Sequence, residues 1–110
     1  MTFNQLKEKL GDCESQADWT THPNGGGWIH KTATVDPSAY VGPEAIVWGN
    51  AQVTGNAQVY GNAWVYGNAW VYGNARVYGN AQVYGDAWVT GDAWVTSPLF
   101  IVGTRHSLTN

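Results

Sequence analysis

Charge is scarce in this chain, and so are cysteine and long apolar runs. Five lysines and arginines stand against eight acids, a formal net charge of −3 over 110 residues. That is too few cations for the phosphate contacts that drive nucleic-acid binding through counterion release, so nucleic acid is not an expected partner. Cys13 is the single cysteine. It excludes an intrachain disulfide and any metal site built from several thiolates, and nothing here demands an oxidising compartment. No stretch approaches the roughly 20 apolar residues of a membrane span, and the opening MTFNQLKEKLGD lacks the apolar run and small-residue cleavage site of a secretory signal. These absences predict a soluble, cytoplasmic protein of one domain with no membrane partner.

What the chain has in excess is aromatic residues and glycine: seven Trp, six Tyr and 14 Gly. Their placement is periodic. From Ile29 an apolar residue recurs every six positions through Val35, Val41, Val47, Val53 and onward to Val95 and Ile101, and two residues before each Val from Val35 to Val95 lies an alanine, Ala33 through Ala93. Each unit reads Ala-x-Val-x-Gly-Asn or a close variant, with Leu99 the large exception. Ahead of the array, Phe3, Leu6 and Leu10 sit at helical spacing. Thr2 is a possible N-cap and Gly11 a stop, which predicts a short amphipathic helix able to cap the repeats. Between them Pro23-Asn24-Gly25-Gly26-Gly27 reads as a linker or a tight loop leading into the array.

In a strand, residues two apart point to the same side, so Ala and Val face one way and the residues beside them the other. Gly-Asn or Gly-Asp tolerates the left-handed backbone region and bends the chain after each short strand. Hairpin reversals would leave three-residue strands in a flat meander with nothing over the Val side. Coiling removes that problem: three bends close a triangular turn with Val and Ala on a common axis, and turns stack at about 4.8 Å with the backbone paired. The expected organisation is a helix and glycine-rich loop over 1–27, a repeat β-helix over 28–104 and a tail over 105–110.

The repeat, together with the segment Ile29-His30-Lys31-Thr32-Ala33-Thr34-Val35-Asp36-Pro37-Ser38-Ala39-Tyr40-Val41-Gly42, resembles the hexapeptide-repeat superfamily of bacterial acyltransferases and gamma-class carbonic anhydrases. The GNAxVxGNAxVx array also looks like phage and prophage hexapeptide proteins labelled as transferases. The resemblance implies an all-β fold: a left-handed parallel β-helix of about four triangular coils with a short N-terminal α-helix. It is also what supplies the left hand, since parallel crossovers are otherwise right-handed. It further implies a parallel homotrimer.

With three hexads per coil, residues 18 apart lie above one another and the outward positions sort into three faces. The first carries Trp28, Ile46, Trp64, Gln82 and Phe100 beside His30, Trp48, Tyr66, Tyr84 and Val102. The second carries Thr34, Gln52, Trp70 and Trp88 beside Asp36, Thr54, Tyr72 and Thr90; the third carries Tyr40, Gln58, Arg76 and Trp94 beside Gly42, Tyr60, Tyr78 and Thr96. Rung-to-rung stacking alone gives such columns a structural use, at about 0.2–1 kcal/mol per pair. Several aromatics of ~150–250 Å² on one face nevertheless exceed the ~300–600 Å² apolar patch of an ordinary monomer. The expected sites are therefore interfaces for self-association or a protein partner, with Trp64 and Tyr66 as the first residues to test. Aromatic planes beside Gln and Asn also suit a carbohydrate.

Chemistry finds little support. The histidines are His22, His30 and His106. The last two lie about four rungs or near 20 Å apart, so they cannot share an ion, and the repeats hold no histidine where the carbonic anhydrases place theirs. No metal or cofactor is expected. The enzyme alternative is an acyl-coenzyme A-dependent transferase at an intersubunit cleft, with His106, beside Arg105, as its candidate base. No insertion between Ala45 and Thr96 supplies an acceptor pocket. A lone Cys13 reads as a packing residue rather than a nucleophile.

Overall fold

The structure, a computed structural model, describes residues 2–11, 16–90, 94–95 and 99–109, the last span as strand path alone. Helix α1 (Phe3–Leu10) begins where the spacing predicts. Thr2 Oγ1 accepts from the Gln5 backbone N–H at 3.2 Å and Gln5 Oε1 accepts from the Thr2 N–H at 2.8 Å, a reciprocal cap that satisfies two otherwise orphaned donors. Gly11, at φ 112°, closes the helix by donating to the Lys7 carbonyl.

Strands β1 (Trp19–Thr21) and β2 (Trp28–His30) pair antiparallel. Every Val-bearing hexad then contributes a strand: β3 (Thr34–Val35), β4 (Tyr40–Val41), β5 (Ile46–Val47), β6 (Gln52–Val53), β7 (Gln58–Val59), β8 (Trp64–Val65), β9 (Trp70–Val71) and β10 (Arg76–Val77). Three more follow, β11 (Gln82–Thr90), β12 (Trp94–Val95) and β13 (Leu99–Thr109). From β2 to β12 the pairing is parallel, with partners 18 residues apart: Ile46 with Trp64, Gln52 with Trp70, Gln58 with Arg76. The result is a parallel β-solenoid. Face one is β2-β5-β8 and the start of β11, face two is β3-β6-β9 and the end of β11, and face three is β4-β7-β10-β12.

Alanines 39 to 81 and valines 41 to 89 of the hexads are fully buried along the axis, each Val contributing about 1.5–3 kcal/mol relative to exposure. The corners depend on glycine. Gly49, Gly55, Gly61, Gly67, Gly73, Gly79 and Gly85 have φ between 66° and 71°, and no other residue type among those described takes positive φ. The residue after each glycine, Asn at six of them and Asp86 after Gly85, keeps an ordinary backbone and the ladder continues: Asn50, Asn56, Asn62 and Asn68 donate to the carbonyls of Gly67, Gly73, Gly79 and Gly85 at 2.8–3.0 Å. Pairing therefore runs through the corners as well as the strands.

The first coil has no Gly-Asn, and side chains do that work. Thr32 Oγ1 donates to the Gly49 carbonyl, Ser38 Oγ to the Gly55 carbonyl at 2.6 Å, and Asp36 Oδ2 accepts from the Gly55 N–H at 3.0 Å. The glycine-rich segment is a packed edge cover rather than a linker. Gly27 donates to the Val41 carbonyl at 2.9 Å and Val41 donates to Asn24 at 3.1 Å. A Cβ at Gly25 or Gly27 would collide with Val41, which explains glycine at both.

The far end departs from the expected register. Phe100 pairs with Tyr84 and Ile101 with Gly85, not with Gln82 and Val83 as an unbroken period requires, so the columns assigned to Phe100 and Val102 are shifted. Gly-Asn punctuation has ceased by this point, and β13 rounds the corner at Gly85 with extra residues between Ile101 and His106. The strand instead follows β11 along its length, slipping register between Gly85 and Ala87. It also runs across the expected boundary at 104/105, and the β11 edge is covered rather than bare.

Candidate binding faces

Face one has an occupant already. Leu6 of α1, Trp19 of β1 and the outward-pointing Ile46 form a second buried cluster, with Leu6 and Ile46 fully inaccessible and Phe3, Leu10, Trp28, Trp48 and Trp64 packed around it. Phe3 meets Trp28 edge to face at 5.9 Å. The helix therefore covers a flank of the solenoid instead of capping its end. Beside it Trp48, Tyr66 and Tyr84 stack in one column, centroids 4.3 and 4.7 Å apart with planes within 4°. Tyr66 Oη donates to Gln82 Oε1 at 3.4 Å. Burial, and then the neighbouring Tyr84, push the Tyr66 phenol above its ordinary value.

Face two is built on Trp70 and Trp88, stacked at 5.1 Å and 8°, with Tyr72 edge-on to Trp70 at 6.3 Å. On face three Tyr60 and Tyr78 stack at 5.1 Å and 5°. Tyr78 then meets the edge of Trp94 at 6.3 Å, and the Arg76 guanidinium lies over the Trp94 ring at 5.3 Å. Trp94 is 60% exposed, alone in this among the large apolar side chains described. Next to it Asn56, Gln58, Asn74, Arg76 and Trp94 line a shallow hollow of about 400 Å³. The columns predicted by an 18-residue rise are thus real from rung to rung.

The histidines do not converge. His22 is buried, with Nε2 2.8 Å from the Ala39 carbonyl. A carbonyl only accepts, so Nε2 carries the proton, and Asn24 donates to the same oxygen at 3.1 Å. This anchor of the glycine-rich loop was not foreseen from sequence. His30 packs on Trp19 at 4.9 Å and lies 2.8 Å from Thr32 Oγ1. His106 is opposite Ala87 in the backbone register of β13. Cys13 and Thr96 lie outside the described residues, among which no three His, Cys, Asp or Glu side chains are placed to hold a metal ion. No described helix is long and apolar enough to cross a membrane.

A family profile for the YdcK β-solenoid repeat matches residues 57–73, 69–83 and 81–96. The chain is a β-solenoid repeat protein. The matched segments run through the regular part of the solenoid, strands β7 to β12, where each described corner begins with glycine. No curated protein and no solved structure matches the chain.

Proposed function

We propose that this β-solenoid is a non-catalytic display scaffold that self-associates through face two and offers its remaining surface to a partner. The observation behind the reading is the Trp70–Trp88 stack with Tyr72 beside it, on a different face from the one α1 packs against. The Val and Ala core holds these rings in fixed columns, so little side-chain entropy remains to be lost on binding. Two indoles and a phenol supply a contiguous apolar patch of the kind that anchors interfaces. A second copy is the simplest partner, and the hexapeptide resemblance favours a trimer.

Trp64 and Tyr66 are less suited to test this. Trp64 packs on the helix cluster and Tyr66 sits within a three-ring stack, so their removal perturbs the fold as well. The paired substitution Trp70→Ala and Trp88→Ala separates the two effects. It is expected to keep the far-ultraviolet circular dichroism of the parent and weaken association at least about 30-fold, roughly 2 kcal/mol. An unchanged dissociation constant by sedimentation equilibrium would remove face two from the interface.

A further inference from the structure

We infer that the hollow on face three is a binding site for a neutral pyranose unit of a glycan. The site rests on the display-scaffold reading, and lies on a face that association through face two leaves open. Its volume, about 400 Å³, falls in the range of small-ligand sites, ~300–1,000 Å³.

The first argument is the corner amides. At the corner leading to face one, Asn62 donates to Asn80 at 3.4 Å, and at the corner leading to face two, Asn68 donates to Asp86 at 3.4 Å. The corner leading to face three carries Asn56 and Asn74 in the same positions, yet among the described residues neither side chain donates to the other. Their amides, with that of Gln58 two residues after Asn56, keep donors and acceptors for a ligand. A sugar hydroxyl needs that combination, because it donates and accepts at once.

The second argument is Trp94. With 60% of its surface open and the Arg76 guanidinium over one side of its ring, it leaves the other side of the indole for the patch of C–H bonds on one face of a pyranose. Arg76 over the ring and Tyr78 at its edge fix the plane, and backbone pairing of Arg76 with both Gln58 and Trp94 sets the spacing of the polar groups beneath it. The groups are preorganised on fully buried Val59 and Val77.

Composition separates this ligand from two others. Four of the five lining residues are polar, which does not suit an apolar peptide segment. Arg76 is the one lysine or arginine between residues 32 and 104, and its guanidinium already lies over Trp94, so a polyanion lacks the cations it would need.

Affinity electrophoresis of the full chain through gels containing amylopectin, xylan, galactomannan or polygalacturonate tests the site. At least one of the three neutral polymers is expected to retard the protein. Trp94→Ala is expected to weaken that retention at least about tenfold, and Asn74→Ala to weaken it measurably. Asn62→Ala, at another corner, keeps it. Retention by polygalacturonate alone, by none of the four, or undiminished in Trp94→Ala overturns the inference. The solution mass of the same samples distinguishes the two claims. A retarded monomer removes self-association and keeps the sugar site, and an unretarded oligomer does the reverse.

Discussion

Faces one and three are the same backbone and opposite surfaces. Both rest on buried Ala and Val, and both climb 18 residues per rung. On face one the outward column carries Ile46, fully buried beneath Leu6 and Trp19. On face three the equivalent slots carry exposed Arg76 and a Trp94 that is 60% open. The hexad therefore specifies a coil and leaves the outward slot free, and what fills the slot decides whether the face becomes interior or surface. Aromatic richness does not by itself mark an adhesive face: Trp28, Trp48 and Trp64 are drawn into the chain's own second core.

The strongest way to break this comparison is to truncate one outward residue on each face. Ile46→Ala is expected to cost about 2–5 kcal/mol, because it opens a cavity beneath the helix. Trp94→Ala should stay within about 1 kcal/mol of the parent. Equal shifts in urea midpoint would mean that the helix does not seal face one.

A smaller difference is expected at the corners. Gly61 leads to face one and Gly55 to face three, at φ 66° and 67°. A Cβ at Gly61 would lie 2.9 Å from the Gly79 nitrogen, against 3.3 Å to Gly73 for Gly55. Alanine at either position should cost about 1–3 kcal/mol, with Gly61→Ala the worse. Thermal melts that rank them the other way would contradict the close stacking of that corner.

Thr2→Ala removes the cap of α1 and is expected to cost about 1 kcal/mol. Amide exchange should quicken in the helix and leave face three unchanged; faster exchange throughout would mean that the solenoid depends on the helix for its order. The smallest effect concerns pH. Tyr66 has its folded pKa raised above the ordinary 10.0, so the unfolded chain releases this proton first. Its contribution is complete below pH 10.0 and is lost as pH rises through the folded value. Tyr66→Phe should therefore lose less stability than the parent on going to strongly alkaline pH. Parallel loss in both proteins would show that burial of this phenol is not felt.

Much of the architecture was legible because a six-residue period with small Ala and branched Val has few ways to hide its apolar side. Thr2, Gly11 and the spacing of Phe3, Leu6 and Leu10 likewise located the helix. Its docking place was harder to see, since an amphipathic helix fits a flank as well as an end. The available signal was Ile46, an aliphatic residue in an outward column otherwise filled by aromatic or polar side chains. The glycine run concealed a close approach to Val41, which composition alone cannot tell from flexibility. His22 gave no periodic signal, because its role is to hold one carbonyl on a loop. At the far end the six-residue phase of Leu99 and Ile101 misled, since without a Gly-Asn corner the phase no longer controls register.

The most direct test of the display reading is the solution mass of the full chain by light scattering over a concentration series. A discrete multiple of 11.9 kDa, with three copies the form favoured by the hexapeptide resemblance, is the expected result. A constant mass of 11.9 kDa at every concentration would contradict self-association through Trp70 and Trp88.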